Sequence, residues 1–98
     1  MGVQTATEVT AARIVLSGGK EKRLFTATTT GTDDFVNLST IFENIYFARA
    51  WDTADGTDAE AYVAGADNAA DDLTFKQNKG DIYIEVEGTA VSSRGGTT

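Results

Sequence analysis

From residue 8 to residue 16 the side chains alternate, with Val9, Ala11, Arg13 and Val15 on one side and Thr10, Ala12, Ile14 and Leu16 on the other. A period of two is that of a β-strand, whose successive side chains point to opposite faces. Ser17-Gly18-Gly19 ends the run with residues that tolerate a positive φ. The alternation then resumes over residues 20–30, with Leu24, Thr26 and Thr28 on one face and Phe25, Ala27 and Thr29 on the other. The two segments are predicted to pair as a first hairpin.

Gly31-Thr32-Asp33-Asp34 marks the next turn, and Phe35-Val36-Asn37-Leu38 reads as a short strand. Over residues 39–43 Ser39 has the chemistry of a helix cap, with Glu43 close behind it, but the run is too short for a stable helix and a turn-like crossover is expected. Residues 44–51 set Ile45, Phe47, Arg49 and Trp51 against Asn44, Tyr46, Ala48 and Ala50, the pattern of a central strand with one strongly buried face. Ala59-Glu60-Ala61-Tyr62-Val63-Ala64 gives a further strand between two acidic loops. Last come Leu73-Thr74-Phe75-Lys76, the turn Gln77-Asn78-Lys79-Gly80-Asp81, and Ile82, Ile84 and Val86 alternating with Tyr83, Glu85 and Glu87, which together predict a second hairpin.

Six or seven such strands about ten residues apart, with no amphipathic helix to cover a parallel sheet, predict an all-β fold, an antiparallel β-sandwich or small barrel. With 98 residues the chain has the size of one domain. The expected folded core is residues 8–91. Residues 1–7 and 92–98 are small and polar, and are expected to be flexible arms or arms ordered by a partner.

Composition narrows the chemistry. The chain has fifteen threonines and no proline, cysteine or histidine. Without thiolate or imidazole, zinc, haem and iron–sulfur sites and the usual nucleophile–base pairs are excluded, and no cofactor is expected. No disulfide framework exists, so stability must come from burial, backbone pairing or oligomerisation. The formal net charge of −7 has the wrong sign for a broad phosphate-neutralising surface, so nucleic acid is not an expected partner. No apolar run approaches the roughly 20 residues of a membrane-spanning helix, and the first residues lack the pattern of a secretory signal, so no membrane is expected either.

Four groups of residues carry candidate chemistry. Asp52, Asp55, Asp58 and Glu60 around Gly56 offer hard oxygen ligands for calcium, but Thr53 and Ala54 break the every-second-position spacing and the last ligand position falls at Ala64 or Gly65. A solvated acidic loop is the expected reading. Glu85 and Glu87 have the carboxylate pairing of a glycosidase, yet they share one strand face with Tyr83 and Thr89, as on the solvated side of a sheet. Lys20, Lys22 and Arg23 form a basic cluster beside a Gly-Gly turn that feeds a strand rather than the helix N-terminus a phosphate cradle needs; a solvated hairpin shoulder is the expected reading, with an acidic patch on a partner or a second copy of the chain as the alternative. Tyr46, Trp51, Tyr62 and Tyr83 lie on strands whose opposite faces already supply a core, and exposed Tyr and Trp favour interfaces, although Trp51 fits equally well as a residue that completes the core. Arg94, in the last arm, joins them as a candidate partner contact. No catalytic residue is expected.

The absence of Cys and His, the Thr- and Gly-rich strands, the Ala54-Asp55-Gly56-Thr57 turn, the polar termini and the closing strand from Asp81 to Thr89 together resemble small virion proteins of tailed bacteriophages, of the capsid decoration or cement type. The resemblance implies a non-enzymatic protein, assembled in the host cytoplasm, that sits on the capsid surface as a trimer or dimer. Its partner would be the major capsid protein or another virion protein, and its role to reinforce the shell. Two other readings fit the same pattern. One is a phage tail or neck component, and the other a carbohydrate- or cell-surface-binding sandwich with Tyr46, Trp51 or Tyr62 as stacking platforms and calcium in the acidic loop.

Overall fold

In the computed structural model, residues 1–64 and 72–91 are described. The fold is all-β, as the alternation predicts. The strands are β1 (Thr7–Glu8), β2 (Ile14–Val15), β3 (Lys20–Thr28), β4 (Asp34–Val36), β5 (Phe42–Asp52), β6 (Ala61–Ala64), β7 (Asp72–Phe75) and β8 (Asp81–Ala90). They form two antiparallel sheets. The five-stranded sheet runs β1-β3-β8-β5 with β2 also on β3, and the three-stranded sheet runs β4-β7-β6.

The inward residues of β3 and β8, notably Phe25, Ile82, Ile84 and Val86, pack against Val36, Leu73 and Phe75 of the smaller sheet and Phe42 and Ile45 of β5, all essentially inaccessible to water. The rings of Phe25 and Phe42 meet edge-on at 6.5 Å. Each such side chain contributes about 1.5–3 kcal/mol by leaving water.

Three sequence expectations need correction. First, residues 8–16 are not one strand. Between Glu8 opposite Phe25 and Ile14 opposite Lys22 the outer chain carries more residues than β3 does, and a 3-10 turn at Thr10–Ala12 absorbs the surplus. The hairpin through Ser17–Gly19 survives as the short pairing of β2 with β3, its turn made by the positive φ of Gly18 and Gly19.

Second, β7 and β8 are not a hairpin. Both edges of β8 are occupied by β3 and β5, while β7 lies between β4 and β6, so the segment after Phe75 carries the chain from one sheet to the other. Thr29 fastens that crossing. Its hydroxyl accepts from the Lys79 and Gly80 N–H groups at 3.0 Å each, and its own N–H donates to the Gly80 carbonyl at 2.8 Å.

Third, β5 is an edge strand and β8 the central one. The register of β5 on β8 slips between Phe42 and Asn44 and again between Ile45 and Phe47, leaving Glu43 and Tyr46 as extra residues. Each bulge reverses the in–out phase. Phe42, Ile45 and Ala50 therefore face the core, while Phe47 and Arg49, expected inside, face out. The cause lies in Gly88 across the ladder. A β-carbon there would overlap the Asn44 carbonyl oxygen and crowd the Ile45 backbone, so β5 can bulge inward only because residue 88 has no side chain.

Residues 1–7, expected as an arm, lie along the body. Val3 bridges Phe35 in parallel, the Gln4 N–H donates to the Phe35 carbonyl at 2.7 Å, and Thr7 pairs with Thr26. Buried Asp34 anchors the segment. Its carboxylate accepts from the N–H groups of Thr30 at 2.7 Å, Gly2 at 2.8 Å and Gly31 at 3.2 Å, and from the Gln4 side chain at 3.0 Å. The Thr30 N–H, with those of Gln4, Gly2 and Gly31, outweighs the cost of burial and holds its pKa far below the ordinary carboxylate range. The arm at 92–98, with Arg94, falls outside the described residues.

Candidate docking face

The outward residues of the larger sheet form rows fixed by register. One row reads Ile14, Lys22, Glu87 and Phe47; the next Leu24, Glu85 and Arg49; the next Thr7, Thr26, Tyr83 and Trp51; and the last Thr28 and Asp81. Directly opposite side chains on one sheet face lie close enough to interact. The register sets Lys22 opposite Glu87 and Arg49 opposite Glu85, so opposite charges alternate across this flat surface.

Of the sequence candidates, Lys20, Lys22, Trp51 and Tyr83 share this face, with Tyr46 bulging from its edge. Lys20 stands over the Tyr46 ring at 5.4 Å, and the Tyr46 hydroxyl meets that of Thr89 at 2.7 Å. Arg49 caps the Trp51 ring at 4.6 Å, and Trp51 leans on Tyr83 with ring centres 5.8 Å apart. A cation over an aromatic face contributes roughly 0.5–1 kcal/mol at exposed sites. These rings are therefore held in fixed positions.

Arg23 belongs elsewhere. It shares the inward phase of Phe25, is buried, and is chelated by Glu21 at 2.6 Å and Glu8 at 3.2 Å, with Phe42 at 5.6 Å. Arg13 closes the network on Glu8 at 2.7 Å and is the first cause of that carboxyl's lowered pKa. Arg23 is thus part of the fold, where its charge is compensated, and cannot meet a partner.

Tyr62 lies on β6, around the edge from Tyr46 and Phe47. Tyr46, Phe47 and Ala48 of β5 face Ala61, Tyr62 and Val63 of β6 across a groove of about 230 Å³. The three rings are 50%, 47% and 45% exposed, a cluster unlike the single exposed apolar residues of an ordinary surface. Alongside the groove, among the described residues, 46–48 of β5 and the facing side of β6 are sheet edges, while at the end of β5 Trp51 bridges Asp58 and the Ala59 N–H donates to the Ala50 carbonyl at 2.9 Å. Phe47 is the residue that sequence reasoning placed wrongly. The available signal was Gly88, a lone glycine inside an otherwise well-formed strand.

Comparison with protein-family models, curated proteins and solved structures gave no match.

The acidic loop turns its carboxylates on itself. Asp52 accepts from the Ala54 N–H at 2.8 Å, Asp55 from the Thr57 N–H at 3.0 Å, and Asp58 from the Glu60 N–H at 2.7 Å. The Thr57 N–H and hydroxyl lower the pKa of Asp55. Such Asx turns stabilise a loop without converging oxygens on one point. Among the described residues no group of three or more His, Cys, Asp or Glu side chains is arranged to hold a metal ion.

Proposed function

We propose that this protein is a non-enzymatic structural component that attaches to a protein shell, in the manner of a bacteriophage capsid decoration protein, by seating the Tyr46–Phe47–Tyr62 corner on a neighbouring subunit. The observation that carries this reading is the corner itself: three half-exposed rings lining one groove between two sheet edges. Rings supply large contact area at low entropy cost, and a strand edge offers unpaired backbone groups to an extended segment of the partner. Lys20 and Lys22 lie beside the rings in a chain of net charge −7, so the face is less negative than the molecule as a whole and suits an acidic rim around an apolar seat. Many symmetry-related copies on a shell would add avidity to a modest single contact.

The test is co-sedimentation of the purified chain with tailed-phage heads stripped of their surface proteins, followed by heating. Saturable binding that raises the rupture temperature is expected, as is a loss of about 2 kcal/mol or more in binding when Phe47 and Tyr62 are both changed to Ser. Failure of the intact chain to pellet with heads, or full binding by the double variant, would sink the reading. Pelleting with tails alone would move the protein to a tail or neck.

A further inference from the structure

At the other end of the same sheet face lies a larger cleft of about 550 Å³, bounded by the N-terminal segment, β3 and β8. Gln4 and Thr7 come from the first, Thr26 and Thr28 from the second, Asp81 and Tyr83 from the third. The rows of the ladder explain its chemistry. Thr7, Thr26 and Tyr83 stand side by side on consecutive strands, with Thr28 and Asp81 in the row beside them. Strands are about 4.8 Å apart, so the Thr7 and Thr26 hydroxyls are spaced on the scale of a sugar ring, with the Tyr83 ring standing beside them.

The lining contains no Lys or Arg, and Asp81 is its one ionisable acid. The Thr28 hydroxyl donates to one Asp81 carboxylate oxygen at 2.7 Å, which fixes the carboxylate and leaves the second oxygen available. Threonine and tyrosine hydroxyls both donate and accept, and a carboxylate accepts two hydrogen bonds from neighbouring hydroxyls. An apolar ligand would strip water from these groups and leave them unpaired. An anion would meet Asp81 and a chain of net charge −7. The Tyr83 ring, itself part of the lining, offers an aromatic surface for the C–H side of a sugar, with Trp51 packed beside it under Arg49.

We propose that this cleft binds a short neutral saccharide, with Asp81 and the Thr7–Thr26–Thr28 hydroxyls taking its hydroxyl groups and the Tyr83 ring taking its apolar face. This site is separate from the Tyr46–Phe47–Tyr62 corner and does not depend on the shell-binding reading. It would give a surface-attached protein a means of holding glycans.

The experiment titrates the intact chain with cellotriose, maltotriose, a mannotriose and N-acetylated chitotriose. Binding is followed through the fluorescence of Trp51, the single tryptophan, and through amide chemical shifts. Saturable binding of at least one neutral trisaccharide is expected, with shifts confined to the cleft. Asp81→Asn and the isosteric Thr26→Val should each weaken it about tenfold, while Phe47→Ser leaves it unchanged. No response to any of the four sugars, or affinity unaltered in both cleft variants, overturns the proposal. Since Phe47→Ser strikes only the corner, loss of shell binding with sugar binding intact separates the two sites.

Discussion

The two long sides of the sandwich are finished in opposite ways. On one, residues 2–8 run across from β4 to β3, bonding to Phe35 and then to Phe25 and Thr26, so that both sheet edges are covered. On the other, β5 and β6 meet across a groove, and among the described residues the β5 edge is covered only at its end, where Trp51 bridges Asp58 and the Ala59 N–H donates to the Ala50 carbonyl. Exposed apolar side chains differ to match: aliphatic Val3, Ile14 and Val15 on the closed side, aromatic Tyr46, Phe47 and Tyr62 on the open one. Free edges invite association, and proteins usually blunt them. Here one side is blunted by the chain itself at the cost of burying a carboxylate, and the other is kept open and decorated with the rings that interfaces favour.

The strongest way to break this contrast is to remove the anchor of the closed side. Asp34→Ala would leave the N–H groups of Gly2, Thr30 and Gly31 without their acceptor in a partly buried setting. Groups left unsatisfied in this way cost about 1–3 kcal/mol each before relaxation, so a loss of roughly 3 kcal/mol is expected in urea denaturation. Faster hydrogen exchange at Gln4 and Phe35 should accompany it. Unchanged exchange at those two amides would show that Asp34 does not hold the segment.

Next in size is Gly88→Ala on the open side. The added methyl would overlap the Asn44 carbonyl oxygen, which is backbone and has nowhere cheap to go. Overpacking of this kind costs about 1–3 kcal/mol. It should also flatten the bulge at Tyr46 and move Phe47, so both stability and shell binding are expected to fall. Full binding by this variant would mean that the bulge does not set the corner.

How much of this was legible follows from which forces are local. Alternation gave β3 and β8, and Ser-Gly-Gly gave its turn, because side-chain period and φ preference act within a few residues. The segment from Leu73 to Ile82 satisfies every local rule of a hairpin and is not one, since the sheet each strand joins is decided by β3, β5, β4 and β6 competing for edges far along the chain. The phase of β5 was unreadable from β5 alone, because it is set by the missing side chain of Gly88. Arg23 was readable. It lies two residues before Phe25 and so on the inward phase, and only the habit of placing charges outside put it on the surface. The cleft beside Asp81 was not foreseen because its rows join residues from three distant segments.

A smaller effect separates the sides by pH. The folded-state pKa of Asp34 lies well below its ordinary value of 3.8, so its contribution is fully present above the unfolded pKa and is lost as pH falls toward the folded one. Between those limits stability should drop by up to about 1.4 kcal/mol per pH unit from this group alone. Urea midpoints of the native chain and Asp34→Asn should therefore converge from pH 6 to pH 2.5. A gap that stays constant over that range would show that the carboxylate's charge plays no part in holding the closed side.

The smallest change in stability is expected where the effect on binding is largest. Phe47 and Tyr62 are half exposed and touch the core only along one edge, so Phe47→Ser and Tyr62→Ser should each cost about 0.5–1 kcal/mol, within the range of ordinary surface substitutions. Shell binding should fall far more than that. If the corner instead closed the fold, truncating Phe47 would open a cavity and cost about 3–5 kcal/mol, as it does for a buried ring. A midpoint shift of that size would place β5 and β6 in one continuous core and remove the contrast between the two sides. A small shift with lost binding fits rings exposed for a partner, because the folded chain gains little from them.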